Sequence, residues 1–141
     1  MPTPQRYAAS GSASAISRAV AVPPGLTHYQ LSAQYPAVID ANAPPDSMAA
    51  LGDTAAQTST TLARLEGVLK EMGLGLEHLT HVRVYLVADP ATGAMDFDGF
   101  NAAYNAYLRE RIREFPARTV LQVAGLVRPN WLIEIEACAA A

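Results

Sequence analysis

The chain has 141 residues and a formal net charge of -3, with 13 acidic against 10 basic side chains, which fits one compact domain and excludes most multi-domain arrangements. Only 16% of the residues are charged, against roughly 25% in an ordinary soluble domain, while 50% are hydrophobic, so part of the surface is expected to be covered by other subunits. An acidic balance with Lys70 as the single lysine argues against a nucleic-acid partner, and one cysteine, Cys138, supports neither an internal disulfide nor a CxxC-based zinc or dithiol site.

Residues 1–14 mix Pro, Gly and Ser with little hydrophobic pattern and read as a loosely held arm ahead of a single domain over residues 15–141. The arm lacks the apolar core of a secretion signal, and no stretch nears the about 18 apolar residues of a membrane span, so the expected location is the cytoplasm with no membrane partner. Ala19 to Val22 and His28 to Ala33 are short β-type runs separated by Pro23, Pro24 and Gly25, which predicts a hairpin. From Tyr35 to Gly52, Pro36, Pro44 and Pro45 predict a long loop with a brief strand at Ala37 to Ile39.

Thr58, Leu62, Leu65, Leu69 and Met72 recur at intervals of four, three, four and three, which predicts a helix from about Thr54 to Met72. Asp53 or Thr54 can cap it, Gln57 has capping-box spacing from Thr54, and Gly73 suits a left-handed C-terminal position. Leu79 to Ala88 alternates as a strand with one better-buried face. Phe100, Ala103, Tyr104, Tyr107 and Leu108 form the stripe of a second helix from near Asp96 to about Arg113, stopped by Pro116. Two strands follow, Arg118 to Ala124 and Trp131 to Cys138. The element order indicates an α+β or mixed α/β sheet with both helices packed on one face.

Candidate chemistry is sparse. His78 and His81 have HxxH spacing at the start of a strand, where residues three apart face opposite ways, so a shared metal is not expected. His28 reads as an ordinary strand residue. Cys138 has no basic neighbour in sequence to activate its thiol, and Gly73 and Gly75 follow a helix, so they form no phosphate loop. Pro116 fixes the chain just before Arg118, which lets that guanidinium either hold a ligand carboxylate or pair with an acid of the same chain; spacing favours the pairing. Glu134 and Glu136 share one face of the last strand with Leu132 and Cys138, and are either solvated there or held in a cleft.

Taken together, several segments resemble the RidA family, also called YjgF/YER057c/UK114. They are Gln57-Thr58 with Leu62 and Leu65, Asn101 and Tyr104, Phe115-Pro116-Ala117-Arg118, Val123-Ala124 and Glu134-Ile135-Glu136-Ala137. Gln30 to Gln34 looks like the family's Leu-Ser-Gly-Gln segment with Ala33 in place of Gly. The resemblance runs from about Ile16 to the C-terminus, and its most specific part is Pro-Ala-Arg followed sixteen residues later by Glu-Ile-Glu.

That resemblance implies a chorismate-mutase-like α+β fold assembled as a homotrimer with clefts between subunits. It implies hydrolysis of reactive enamines and imines bearing a small carboxylate to 2-keto acids and ammonia, without metal or organic cofactor. Arg118 would bind the carboxylate and Glu134 would position the attacking water, with Ser32, Asn101 and Val120 also contacting substrate. In the archetypal Gly-Pro-Tyr-Ser segment a Tyr points into the cleft; here Ile16 stands in that position. With Ala33 and the enlarged loop from Tyr35 to Gly52, this leaves room for a pathway-specific deaminase of the 2-aminomuconate type, or a non-catalytic protein that binds a small carboxylate. The ribonuclease and translation-inhibitor labels attached to the family fit an acidic chain poorly.

Overall fold

A computed structural model describes residues 2–141; Met1, the first residue of the predicted arm, lies outside the described residues. The elements are β1 (Gln5–Ala8), β2 (Ser17–Ala21), β3 (His28–Gln34), α1 (Met48–Leu51), α2 (Thr54–Glu71), β4 (Leu79–Leu86), α3 (Phe97–Arg109), β5 (Ala117–Gln122) and β6 (Ile133–Ala140). One 3-10 turn, Leu76–His78, precedes β4. All six strands form a single sheet in the order β1-β2-β5-β4-β6-β3. It is a mixed sheet: β5 runs parallel to both β2 and β4, and the other pairs are antiparallel.

Both long helices pack on one face, as their stripes predict. Leu62, Leu65 and Leu69 of α2 and Phe100, Tyr104 and Leu108 of α3 are buried against Val82, Val84, Ile133 and Ile135. The ends of α2 follow local chemistry. Asp53 caps the helix by accepting from Ala56 N at 2.9 Å. At the other end Gly73 has φ 75, with Gly73 N to Lys70 O at 3.0 Å and Leu74 N to Leu69 O at 2.8 Å, the paired bonds of a Schellman motif. Met72, counted in the stripe from sequence, is the exposed C-cap residue.

Several predicted features differ. Gln57 forms no capping box, because its side chain is drawn into the interior. Its amide donates to Gly52 O at 3.0 Å and Asn130 O at 2.9 Å, and its oxygen accepts from Leu132 N at 2.8 Å. The predicted hairpin also fails: β2 pairs with β1 and β5, while β3 lies at the far edge beside β6. Alternation marks a strand but not its neighbour, and Pro23 and Pro24 donate no ladder bonds between the two. Residues 37–39 are not a strand; α1 supplies the ordered structure in that loop, with Ile39 N bonded to Ala50 O at 2.8 Å.

The expected loose arm contains β1. Its polar sequence gave no strand signal, but the buried Arg6 side chain donates to the carbonyls of Leu79 (2.7 Å), Glu77 (2.7 Å) and Phe115 (3.1 Å), contacts far away in sequence. β1 pairs antiparallel with β2, from Gln5 opposite Ala21 to Ala8 opposite Ser17.

The sheet sorts side chains onto two faces. Val82 and Val84 of β4, with Ile133, Ile135 and Ala137 of β6, meet the helices. The alternate residues, His81, Arg83 and Tyr85 of β4 and Glu134, Glu136 and Cys138 of β6, face away from them. Leu132 precedes β6 and is buried.

Candidate active site

Arg118 is the second residue of β5, and the chain is fixed just before it. Pro116 is buried, Ser17 N donates to Pro116 O at 3.0 Å, and Ser17 Oγ donates to Phe115 O at 2.6 Å. Arg118 is in register with Val82, so its side chain lies on the helix side of the sheet. There its guanidinium carbon sits 4.8 Å from the Tyr104 ring centre, 5.3 Å from Phe100 and 6.0 Å from Phe97. These rings supply cation–π attraction while excluding water. Burial pulls the guanidinium pKa below its usual range, partly offset by Tyr104, yet an arginine remains protonated near neutrality.

No carboxylate of the described residues forms an ion pair with Arg118. Its polar partner is neutral: Nη1 donates to Asn101 Oδ1 at 2.9 Å. The pairing with an internal acid that spacing favoured is therefore absent, and a partly desolvated cation faces the α3 side with donors to spare. Tyr104, directly beneath it, is fully buried with a hydroxyl that has no hydrogen-bond partner, and burial raises its pKa well above that of a free tyrosine. Val120 follows Arg118 on the same face of β5, in register with Val84.

Glu134 lies on the other face, in register with Tyr85, and burial raises its pKa above the ordinary carboxylate value. Glu136 next to it is held the other way. It accepts from Tyr85 Oη and from Arg83 Nη1, the latter at 2.9 Å, and these bonds lower its pKa, that from Tyr85 most. A hollow of about 500 Å³ on this face is lined by Ser32, His81, Arg83, Glu136 and Cys138 among others. Burial, then Arg83, lowers the His81 pKa against an opposing pull from Glu136, so that ring is neutral at neutral pH. Cys138 lacks a basic neighbour in sequence, but His81 is its partner in the β4–β6 register. Among the described residues no group of three or more His, Cys, Asp or Glu is arranged to hold a metal.

One chain therefore brings Arg118, Asn101 and Val120 together on the helix side, and Ser32 and Glu134 on the opposite side. Sequence reasoning missed the Arg83–Glu136–Tyr85 set, whose only signal was alternation along β4, and the contact of Ser14 Oγ with Asn101 Oδ1 at 3.2 Å.

A family model described as Endoribonuclease L-PSP matches residues 39–141. The chain belongs to this family, the RidA or YjgF family. The chain is 38% identical over 89 residues to 3-aminoacrylate deaminase RutC of Acinetobacter baylyi, a match spanning 63% of this chain and 64% of that protein, less than two thirds of its length. Two crystal structures agree over nearly the whole chain. A Rid-family protein of unknown function, YyfB of Yersinia pestis, is 26% identical with a TM-score of 0.71, covering 99% of both chains. The YjgF gene product of E. coli is 28% identical with a TM-score of 0.63, covering 95% of this chain and 91% of that one.

This RidA-family chain thus has the family's mixed sheet with helices on one face. Ile16 is partly buried and packs against the core. No helix among its described residues is long and apolar enough to cross a membrane.

Proposed function

We propose that this RidA-family chain hydrolyses reactive enamines and imines that carry a small carboxylate, releasing a 2-oxo acid and ammonia. The observation that carries the proposal is the Arg118 guanidinium, half-buried among aromatic rings with a neutral amide and no acid beside it. Such a cation is stabilised by an incoming carboxylate, which replaces lost hydration with charge-assisted hydrogen bonds. The relative named as a 3-aminoacrylate deaminase supports enamine hydrolysis, since 3-aminoacrylate is an enamine of a small acid, with its nitrogen on carbon 3 rather than carbon 2.

The reaction asks little of a protein beyond placement. An enamine takes a proton on carbon to become an imine, water adds to the C=N carbon, and the carbinolamine expels ammonia as the C=O bond forms. Glu134 accepts the proton of the attacking water and returns it to the departing nitrogen. A carboxyl whose pKa is raised by burial suits both halves of that exchange. Anchoring the carboxylate on Arg118 supplies the orientation.

Arg118 and Glu134 lie on opposite faces of one chain's sheet, so a shared substrate requires two copies, with Arg118 from one and Glu134 from another. A homotrimer with three intersubunit clefts meets this requirement. It also accounts for a half-apolar chain with only 16% charged residues, because each subunit buries surface against its neighbours. Ser32, on the face of Glu134, would line the same cleft.

The test couples the purified protein to a serine or threonine dehydratase and follows keto-acid release. Acceleration by wild type but not by Arg118→Ala supports the proposal. If both match buffer, the deaminase reading fails, and tight binding of a 2-oxo acid without turnover would identify a carboxylate-binding protein instead. Light scattering that gives a single-chain mass at micromolar concentration would overturn the shared cleft.

A further inference from the structure

The segment from Ser12 to Ser17 crosses α3 and is held by three helix residues spaced four apart. Asn105 Oδ1 accepts from Ala15 N at 2.7 Å, Arg109 Nη2 donates to Ala13 O, and Asn101 Oδ1 accepts from Ser14 Oγ at 3.2 Å. The first two contacts reach main chain and simply hold the segment. The third reaches a group already engaged with Arg118, since the same Asn101 oxygen accepts from Nη1 at 2.9 Å.

A carboxamide has one oxygen with two lone pairs and one NH2 group with two donors. With the oxygen taken by a hydroxyl on one side and a guanidinium on the other, Nδ2 bonds to neither, and no described residue accepts from it. Arg118 alone would attract the oxygen yet leave the amide free to swing about that single bond. The hydroxyl of Ser14 removes the freedom. It also occupies the lone pair to which a second guanidinium N–H would otherwise donate, which leaves those donors for a ligand.

We propose that Ser14 is a positioning residue of the Arg118 site: its hydroxyl fixes the Asn101 carboxamide so that the Nδ2 donors stand beside the guanidinium and complete a donor set for the substrate carboxylate. The ligand group this set fits is an oxygen acceptor that carries negative charge and no hydrogen of its own. The proposal rests on Arg118 as the carboxylate anchor.

Calorimetric titration of the whole protein with 2-oxobutanoate, beside coupled keto-acid release, tests it on Ser14→Ala, Ser14→Thr and Asn105→Ala. Loss of one neutral hydrogen bond is expected to raise Kd and KM about 5-fold in Ser14→Ala with kcat changed less than about twofold, and Ser14→Thr to restore both. Asn105→Ala, which loosens the same segment without touching Asn101, is expected to bind like wild type. Equal affinity of Ser14→Ala and wild type overturns the proposal, as does an equal loss in Asn105→Ala, which would mean that tethering the segment is all that matters. Arg118→Ala separates the two levels. If it abolishes binding while Ser14→Ala does not weaken it, only the role of Ser14 falls; if it binds like wild type, the anchor falls and this proposal with it.

Discussion

On the helix side of the sheet, Arg118 is a cation among three aromatic rings, bonded to a neutral amide. On the other side, Glu136 shares a hydrogen-bonded set with Arg83 and Tyr85, and each charge there has an opposite one beside it. The first arrangement keeps its charge uncompensated by the chain itself, and so suited to a ligand; the second neutralises it internally. Ionisable groups of both kinds sit on one sheet only a strand or two apart, and burial decides which is which. Glu134 differs from Glu136 in the same sense: burial raises its pKa, while donors lower that of its neighbour.

The sharpest way to break the helix side is to remove its rings. Phe100→Ala takes out a fully buried side chain that packs against both Tyr104 and Arg118, and is expected to cost about 3–5 kcal/mol in denaturant unfolding. Next, Arg118→Ala should leave the fold intact, because the cation stabilises nothing acidic within its own chain. It should lower kcat/KM in the coupled assay by about 100-fold or more, the loss of a partly desolvated charge-assisted contact.

Glu134→Gln should lower kcat by about 100-fold with little change in KM, the mark of lost acid–base help. In wild type, kcat should rise with pH through a value higher than that of a free glutamate, since the base must be ionised and burial raises its pKa. That limb should vanish in the Gln variant. For stability the sign is reversed: the raised pKa of Glu134 favours the folded state below the unfolded carboxylate pKa, and this contribution is lost as pH rises through the folded value.

Glu136→Gln is the smallest effect. Its exposed pair with Arg83 is expected to contribute little, present above the unfolded carboxylate pKa and lost as pH falls through the lowered folded one. A thermal scan in which Glu136→Gln destabilised as much as Phe100→Ala would erase the contrast between the two faces.

Much of the scaffold was legible in the chain. The stripe of α2 and both of its ends could be read because helical period, an Asp cap and a left-handed Gly are local signals. The strands at β4 and β6 showed themselves by alternation. What could not be read was which strands meet, as in the mistaken pairing of β2 with β3, and which polar side chains bond across long separations. Arg6 binds carbonyls more than seventy residues away, and Gln57 bridges to Asn130 and Leu132. Residue types at family spacing marked Arg118 and Glu134, but nothing in their spacing told that the two face opposite ways.

By itself the sequence determined the two long helices and most of the strands, because each depends on neighbours within a few positions along the chain, and its resemblance to the family supplied Arg118 and Glu134 as candidates. Only the tertiary structure decided the sheet order, the strand at Gln5–Ala8, the neutral partner of Arg118 and the separation of Arg118 from Glu134. Register sets which face a strand residue joins, and burial sets its charge state, and both arise from segments that meet only when the chain is folded.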